Sequence, residues 1–200
     1  MRRDARRAAS RAEILDAAET VFGERGPRAG SLRDIAQRSG FSTAAIYLFF
    51  DNKQHLLAET LRRRGEELVP LLASAAAEDL PPIGRLHLVV DVTVEFFARR
   101  PDFRRLLRHI TGGDMVTGPV LGEFAGDVQG RFAEAMSVLV SIIEAGQAAG
   151  EIRDGDAAAL AHFFSVLCNE FVLLPTDGLT AEQFHGLIDG AFRRPATIDD

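Results

Sequence analysis

Between Ser31 and Lys53 the chain has room only for very short helices, and this limits its possible folds more than any other feature. Ser31 is a capping residue with Asp34 three positions on, a reciprocal pattern that satisfies the free N–H groups opening a helix. Gly40 stops that helix after about two turns. Ser42 caps the next one, within the run FSTAAIYLFF at 41–50. Asp51, with Gln54 three residues later, caps a fourth helix, so the one before it has fewer than ten residues. Helices this short are marginal in isolation, so packing against neighbours must hold them.

The rest of the chain has helical period, and no segment alternates like a strand. Ile14, Ala18 and Phe22 recur every four residues in a first helix from about Ser10 to Arg25, ended by Gly26-Pro27. Leu56, Leu57, Leu61 and Leu68 share a face of the fourth helix, which Pro70 should kink or end. Residues 75–82 read as a connection, followed by a helix from about Ile83 to Arg100. Pro101 opens PDFRRLLRHI as a first-turn proline. TGGDMVTGP breaks the pattern. A long helix is expected from about Val120 to Ala149, GEIRDGD is a turn, and Ala157–Leu174 and Ala181–Arg194 are the last two helices. The class is all-α.

Charge divides the chain. Residues 1–65 hold thirteen basic and eight acidic residues, net +5, and residues 66–200 carry −11, giving the overall −6. A basic head on an acidic body points to a polyanion at the head; the alternative is ordinary variation between small domains. Cys168 is the only cysteine, so no internal disulfide can form. The N-terminal MRRDARRAASRAE lacks the apolar core of a secretory signal, and no stretch of about 18 uncharged apolar residues could span a membrane. The expectation is a soluble cytoplasmic protein. His55, His87, His109, His162 and His185 are scattered without metal-ligand spacing, and no phosphate-cradling glycine motif or nucleophile–base pair is recognisable. Asp91 and Glu95 share a helix face, which solvation explains. The reading is a protein that is no enzyme and has no cofactor and no metal.

Two short helices joined by a glycine turn form either a piece of a helical bundle or a helix-turn-helix. Ala36 suits a close helix crossing, and Phe41, Ile46 and Phe50 point to the core. Thr43, Ala44, Tyr47 and Leu48 then occupy the open face, with Ala45 and Phe49 at its edges. Small residues let a recognition helix approach the major groove, Thr can bond to a base, and a Tyr hydroxyl can reach a phosphate. Charge surrounds this helix: Arg33 precedes it, Lys53 follows it, and Arg2, Arg3, Arg6, Arg7 and Arg11 form an N-terminal arm.

Three segments agree in order and spacing with one family: ILDAAETVFGERG, SLRDIAQRSGFS and AIYLFFDNKQHLL. From Ile14 to Leu57 the chain resembles the DNA-binding domain of the TetR family of bacterial transcriptional repressors. The resemblance implies an N-terminal three-helix helix-turn-helix domain over 8–68 and a C-terminal helical ligand-binding and dimerisation domain over 69–200. It places Ser31, Arg33, Ser42, Thr43, Ala44, Ala45, Tyr47, Leu48, Phe49 and Lys53 at DNA-facing positions. Family members often carry Lys or Arg where this chain has Thr43, Gly or Pro at Ala44, and His or Tyr at Phe49.

In the body, RRPDFRRLLRH, IEAGQAAGEIRDGDAAALA and the final amphipathic helix carry a thinner resemblance. Residues 66–200 hold ten of the fourteen Phe. Phe96, Phe97, Phe103, Leu107, His109, Met115, Phe124, Phe132, Met136 and Phe163 could line a cavity or simply form core; the resemblance favours the cavity. Polar candidates there are Thr93, Arg105, His109, Asp114 and Asn169, few enough to suggest an apolar or aromatic ligand. Two-fold dimers read paired half-sites. Ala157, Ala161, Phe164, Ser165, Cys168, Phe171 and Val172, with Phe184, Leu187, Ile188 and Ala191, would pair across such an axis, or pack within one protomer. The expected protein is a dimeric one-component regulator, a repressor released from palindromic operator DNA by a small-molecule effector. The alternative is a helical ligand-binding or scaffold module without specific DNA recognition.

Overall fold

The computed structural model describes residues 2–110, 121–173 and 179–195. Its helices are α1 (Arg2–Ala29), α2 (Leu32–Ser39), α3 (Thr43–Tyr47), α4 (Lys53–Ala77), α5 (Pro82–Ala98) and α6 (Pro101–Ile110). A 3₁₀ turn at Gly122–Phe124 leads into α7 (Ala125–Ala148), followed by α8 (Ala157–Leu173) and α9 (Ala181–Phe192). Among the described residues the one β feature is an isolated bridge between Ile152 and Arg193, so the all-α expectation holds. TGGDMVTGP lies outside the described residues.

Two helices depart from their expected limits. α1 begins at Arg2, ahead of the expected Ser10, because Arg and Ala are strong helix formers and Asp4 favours the first turn. At Gly26 the backbone leaves the helix with φ 77°, a left-handed value natural to glycine, and Pro27–Ala29 add one more turn. α4 runs through Pro70 to Ala77. Pro70 removes one helical hydrogen bond, at the exposed Glu66, while burial of Leu72 and Ala75 beyond it holds the helix together. The cap of α4 is Asn52, whose Oδ1 accepts the His55 N–H at 2.8 Å; Asp51 and Gln54 do not form the expected box.

By packing, the chain forms two units: residues 1–66 with 100–131, and residues 67–99 with 132–200. The expected division lies between 68 and 69; by packing, residues 100–131 group with residues 1–66. α6 is the physical reason. Its apolar face (Phe103, Leu106, Leu107, Ile110) is buried, and α6 packs on α1. There the Thr20 hydroxyl donates to Asp102 Oδ2 at 2.7 Å, and the missing side chain of Gly23 lets the Asp102 backbone approach.

In the first unit Ile14, Ala18 and Phe22 of α1 are buried along with Ile35, Ile46, Phe50, Leu56 and Leu57. Arg63–Asp16 (2.8 Å) and Arg64–Glu19 (2.7 Å) tie α4 to α1, and Glu19 is buried. In the second unit His87 of α5 bonds Asp189 of α9 at 2.8 Å and stacks on His185, ring centroids 4.4 Å apart. Asp91, the expected solvated carboxylate, lies 3.0 Å from His185 Nε2. Phe164 of α8 meets Phe192 of α9 edge to face at 5.7 Å.

Candidate nucleic-acid interface

Caps set the ends of both short helices. Asp34 N–H donates to Ser31 Oγ at 3.2 Å, while the Ser31 N–H and hydroxyl donate back to Asp34 Oδ2 at 3.0 and 2.5 Å. These bonds, the side-chain one foremost, hold the Asp34 carboxyl below the usual carboxylate range, with Arg25 adding to the effect. Gly40 ends α2 at φ 74°. Ser42 Oγ then accepts the Ala45 N–H at 3.1 Å and opens α3. So Ser31 and Ser42 serve as caps.

α3 is anchored from one side only. Ile46 and Phe50 are fully buried, whereas Tyr47 is 55% exposed and Leu48 72% exposed. Ala44 is exposed, Thr43 and Ala45 are half-buried, and Arg33 stands exposed on the first turn of α2. Tyr47 and Leu48 are neighbours in the chain and both exposed, so the outward side of this stretch carries apolar surface. The short run between caps is therefore a helix that spends its apolar residues on two faces. One seals the head and the other presents Thr43, Ala44, Tyr47 and Leu48 outward, the arrangement of a recognition helix.

Two expected contacts have other employment. Lys53 Nζ donates to the carbonyl oxygens of Arg28 and Gly30, both at 3.1 Å, so it ties the α1–α2 turn to the start of α4. Phe49 is half-buried, and the guanidinium of Arg7 lies over its ring, 5.6 Å from the centroid. Arg11 lies over Phe50 at 5.2 Å and also pairs with Glu59. Burial and the nearby Arg62 and Arg63 lower the Arg11 pKa from its ordinary value. Two of the arm arginines thus rest on the aromatic end of this helix, a contact that the spacing of the residues does not show. The helix-forming composition of RRDARRAASRAE was the available signal.

The body residues separate into several groups. Phe103 and Leu107 lie on the buried face of α6, and the His109 ring Nε2–H points at the Gly23 carbonyl, 3.2 Å away. Phe124 stacks on His55 at 4.7 Å, and Arg105 pairs with Asp102. These four apolar and imidazole side chains serve the first unit's own packing. Phe163, expected in a cavity, is 49% exposed and lies against Phe192, 6.0 Å between centroids. Phe96 and Phe97 are buried in the second unit, tilted edge to face at 5.3 Å, and Phe132 and Met136 are half-buried on α7. Met115 and Asp114 lie outside the described residues.

The residues of the expected dimer face divide by burial. Ala161, Phe164, Cys168, Val172, Phe184 and Ile188 are buried inside the protomer. Phe171 is half-buried and stacks on Phe184 at 4.2 Å, and burial pushes the Cys168 thiol up to about 12 against an opposing hydrogen bond with Thr93. These side chains hold α8 and α9 within one unit. Leu187 is 57% exposed, and Ala157, Ser165 and Ala191 are half-buried. The outward apolar residues are Leu187 with Phe163 and Val166, the latter two on turns of α8 not assigned to this face from sequence.

A helix-turn-helix head, followed along the chain by a second unit that is mainly helical among the described residues, defines a class of two-part regulatory protein. Residues 14–60 match the profile of the bacterial regulatory proteins of the tetR family. The chain is 35% identical over 85 residues to the transcriptional repressor KstR2 of Rhodococcus jostii, covering 42% of each protein. It is 30% identical over 185 residues to the transcriptional regulator TtgR of Pseudomonas putida, covering 83% of this chain and 81% of that one. Among solved structures, FadR of Bacillus subtilis in complex with stearoyl-CoA aligns with TM-score 0.73 at 19% identity, over 90% of this chain and 95% of the other. The chain belongs to the TetR family.

Proposed function

We propose that this protein is a dimeric transcriptional repressor. It binds palindromic operator DNA through Thr43, Ala44, Tyr47 and Leu48 and is released by a small apolar or aromatic effector held in the second unit. The observation that carries the reading is α3 itself: a capped, uncharged helix anchored by Ile46 and Phe50 with Tyr47 and Leu48 turned out to solvent. The Tyr47 hydroxyl would bond a phosphate, and the small side chains of Thr43 and Ala44 would let the backbone close on base edges. Arg33 adds a phosphate contact from α2. A two-fold pair of heads would read two half-sites one helical turn apart. The exposed Phe163, Val166 and Leu187 support the pairing, since large apolar residues on a surface mark a covered face. Phe96, Phe97, Phe132 and Met136 supply apolar walls of the kind that suit an aliphatic chain or ring. FadR holds stearoyl-CoA, which agrees with a ligand of that character. Effector and operator affinities would weaken each other by the same factor. The work is cytoplasmic, where DNA is reached; no helix among the described residues is long and apolar enough to cross a membrane.

The test is fluorescence anisotropy with the DNA upstream of the protein's own gene and with a duplex selected from random sequence, in excess competitor at about physiological salt. Saturable nanomolar binding, weakened at least tenfold by Tyr47→Ala, is the expected result. Binding that competitor abolishes, and that Tyr47→Ala leaves unchanged, would overturn the reading.

A further inference from the structure

We infer that His87, Asp91, His185 and Asp189 form a proton-operated clamp, which tightens α9 against α5 as the two imidazoles gain charge between about pH 8 and 5. The inference is independent of the DNA-binding reading above. Its motif is written twice in the chain, HLVVD at 87–91 on α5 and HGLID at 185–189 on α9. In each, a His stands four residues before an Asp, which puts both on one helix face. Each His nevertheless meets the Asp of the other helix. His87 Nε2 stands 2.8 Å from Asp189 Oδ1, and His185 Nε2 stands 3.0 Å from Asp91 Oδ1. This crossed pairing means that the two helices run antiparallel here. The imidazole rings lie face to face, centroids 4.4 Å apart and planes 10° from parallel.

Among the described residues no group of three or more His, Cys, Asp and Glu is placed to hold a metal ion, so the positive charge these carboxylates meet comes from side chains. Asp189 already has Arg193, whose Nε lies 3.2 Å from Oδ2. A neutral His87 can bond Asp189, and a charged one bonds it more strongly. His185 gains more. Its Nε2 is buried and forms no aligned hydrogen bond, so the approach to Asp91 is rewarded only when the ring carries charge. Two charged rings repel across the stack, but each faces its own carboxylate, and the doubly protonated quartet is electrically neutral. Charge on the rings is therefore favoured in the fold. The clamp's contribution is present in acid and fades as pH rises through the imidazole range. The other charged groups nearby are engaged or turned to solvent. On α5, Arg85 donates to the Leu80 carbonyl and Glu95 pairs with Arg99; on α9, Glu182 is exposed. α8 also packs on α5; its His162 and Glu170 are exposed, and its Cys168 is buried against Thr93. α9 carries Leu187, one of the exposed apolar residues proposed for pairing, so acid should steady a helix through which two copies meet.

The experiment is hydrogen exchange of the full-length protein at about pH 8 and about pH 5.5, read by mass spectrometry on the peptide spanning α9 and corrected for the intrinsic effect of pH. The variant is His87→Gln/His185→Gln, which keeps polar side chains at both positions and removes the titration. In the wild type, opening of α9 should be at least about threefold rarer in acid, and in the variant that ratio should fall to about one. Asp91→Asn/Asp189→Asn takes away the carboxylates instead and should abolish the ratio as well. His162→Gln removes an exposed imidazole of α8 and should keep the wild-type ratio. Light scattering on the same samples should show that acid favours pairing more in the wild type than in the His variant. A pH ratio shared by wild type and both double variants would overturn the inference, as would a wild-type α9 that opens equally or more often in acid. An equal pH effect on pairing in wild type and His variant would overturn the link to Leu187. If copies do not pair at either pH, the pairing proposed above fails instead, and the exchange ratio still decides the clamp.

Discussion

Two side chains give pH-dependent signatures of opposite sign. Cys168 is buried and its thiol is pushed up to about 12, while the unfolded chain titrates near the ordinary 9.0. A raised folded-state value means the stability contribution is intact below pH 9.0 and is lost as pH climbs toward about 12. The slope is about 1.4 kcal/mol per pH unit, because the unfolded state gives up its proton first. Urea unfolding at pH 8 and pH 10 should show the drop, and Cys168→Ala should flatten it. The same burial predicts that a thiol reagent at pH 8 leaves the native protein unmodified and labels it after unfolding. Asp34 works the other way. Its carboxyl is held low by Ser31, so its contribution is present above the unfolded carboxylate value and disappears as pH falls through the folded one. Ser31→Ala removes the reciprocal cap and should cost about 1 kcal/mol at neutral pH. The loss should shrink in acid, where the wild type has already surrendered the bond; thermal unfolding at pH 7 and pH 3 would show whether it does.

Helices meet where shape allows, and α1 against α6 shows how little of that is written locally. Gly23 sits mid-helix, where alanine is normally better by up to about 1 kcal/mol. A Cβ placed there would stand 2.5 Å from the Asp102 carbonyl oxygen, and backbone cannot yield as a side-chain tip can. Gly23→Ala should therefore destabilise the first unit by about 1–3 kcal/mol despite the propensity gain, read as a fall in denaturation midpoint; a stabilised variant would refute the contact. The sequence period located these helices well, and it turned Ile46 and Phe50 inward and Tyr47 and Leu48 outward as found. It did so because burial alternates with backbone geometry over a few residues, a local signal. Which distant helices pair is a different matter. A single absent side chain at Gly23 receives Asp102, and nothing near position 102 records it. For the same reason the caps at Ser31 and Ser42 could be read, while the placement of Arg7 on Phe49 could not. On α8 and α9 the period separates apolar from polar faces but does not say which apolar residues the protomer keeps for itself. Phe164 and Ile188 turned inward, and Leu187 remained out.

That remaining apolar face bears on how the protein acts, since one helix-turn-helix unit reads one half-site and gains little affinity alone. Phe163, Val166 and Leu187 are 49%, 42% and 57% exposed, a cost in water that a second copy would remove. The body's net charge of −11 sets two such bodies against each other, so the apolar contact has to outweigh their repulsion. Raising salt screens that repulsion and should strengthen pairing, even as it weakens the proposed phosphate contacts of the basic heads. The two effects can be separated. Light scattering of the 21.8 kDa chain should give twice that mass, more firmly so at higher salt. Val166→Glu with Leu187→Glu adds charge at two of these exposed apolar positions and should yield monomers with an unchanged helical spectrum. Those monomers should bind a single half-site as the wild-type head does but lose the cooperative gain on the palindrome, a drop of at least tenfold in operator affinity. Dimers persisting in the double variant would show that the chain pairs through another surface. Monomers with full operator affinity would show that pairing contributes nothing to recognition, and the heads would then have to read DNA one at a time.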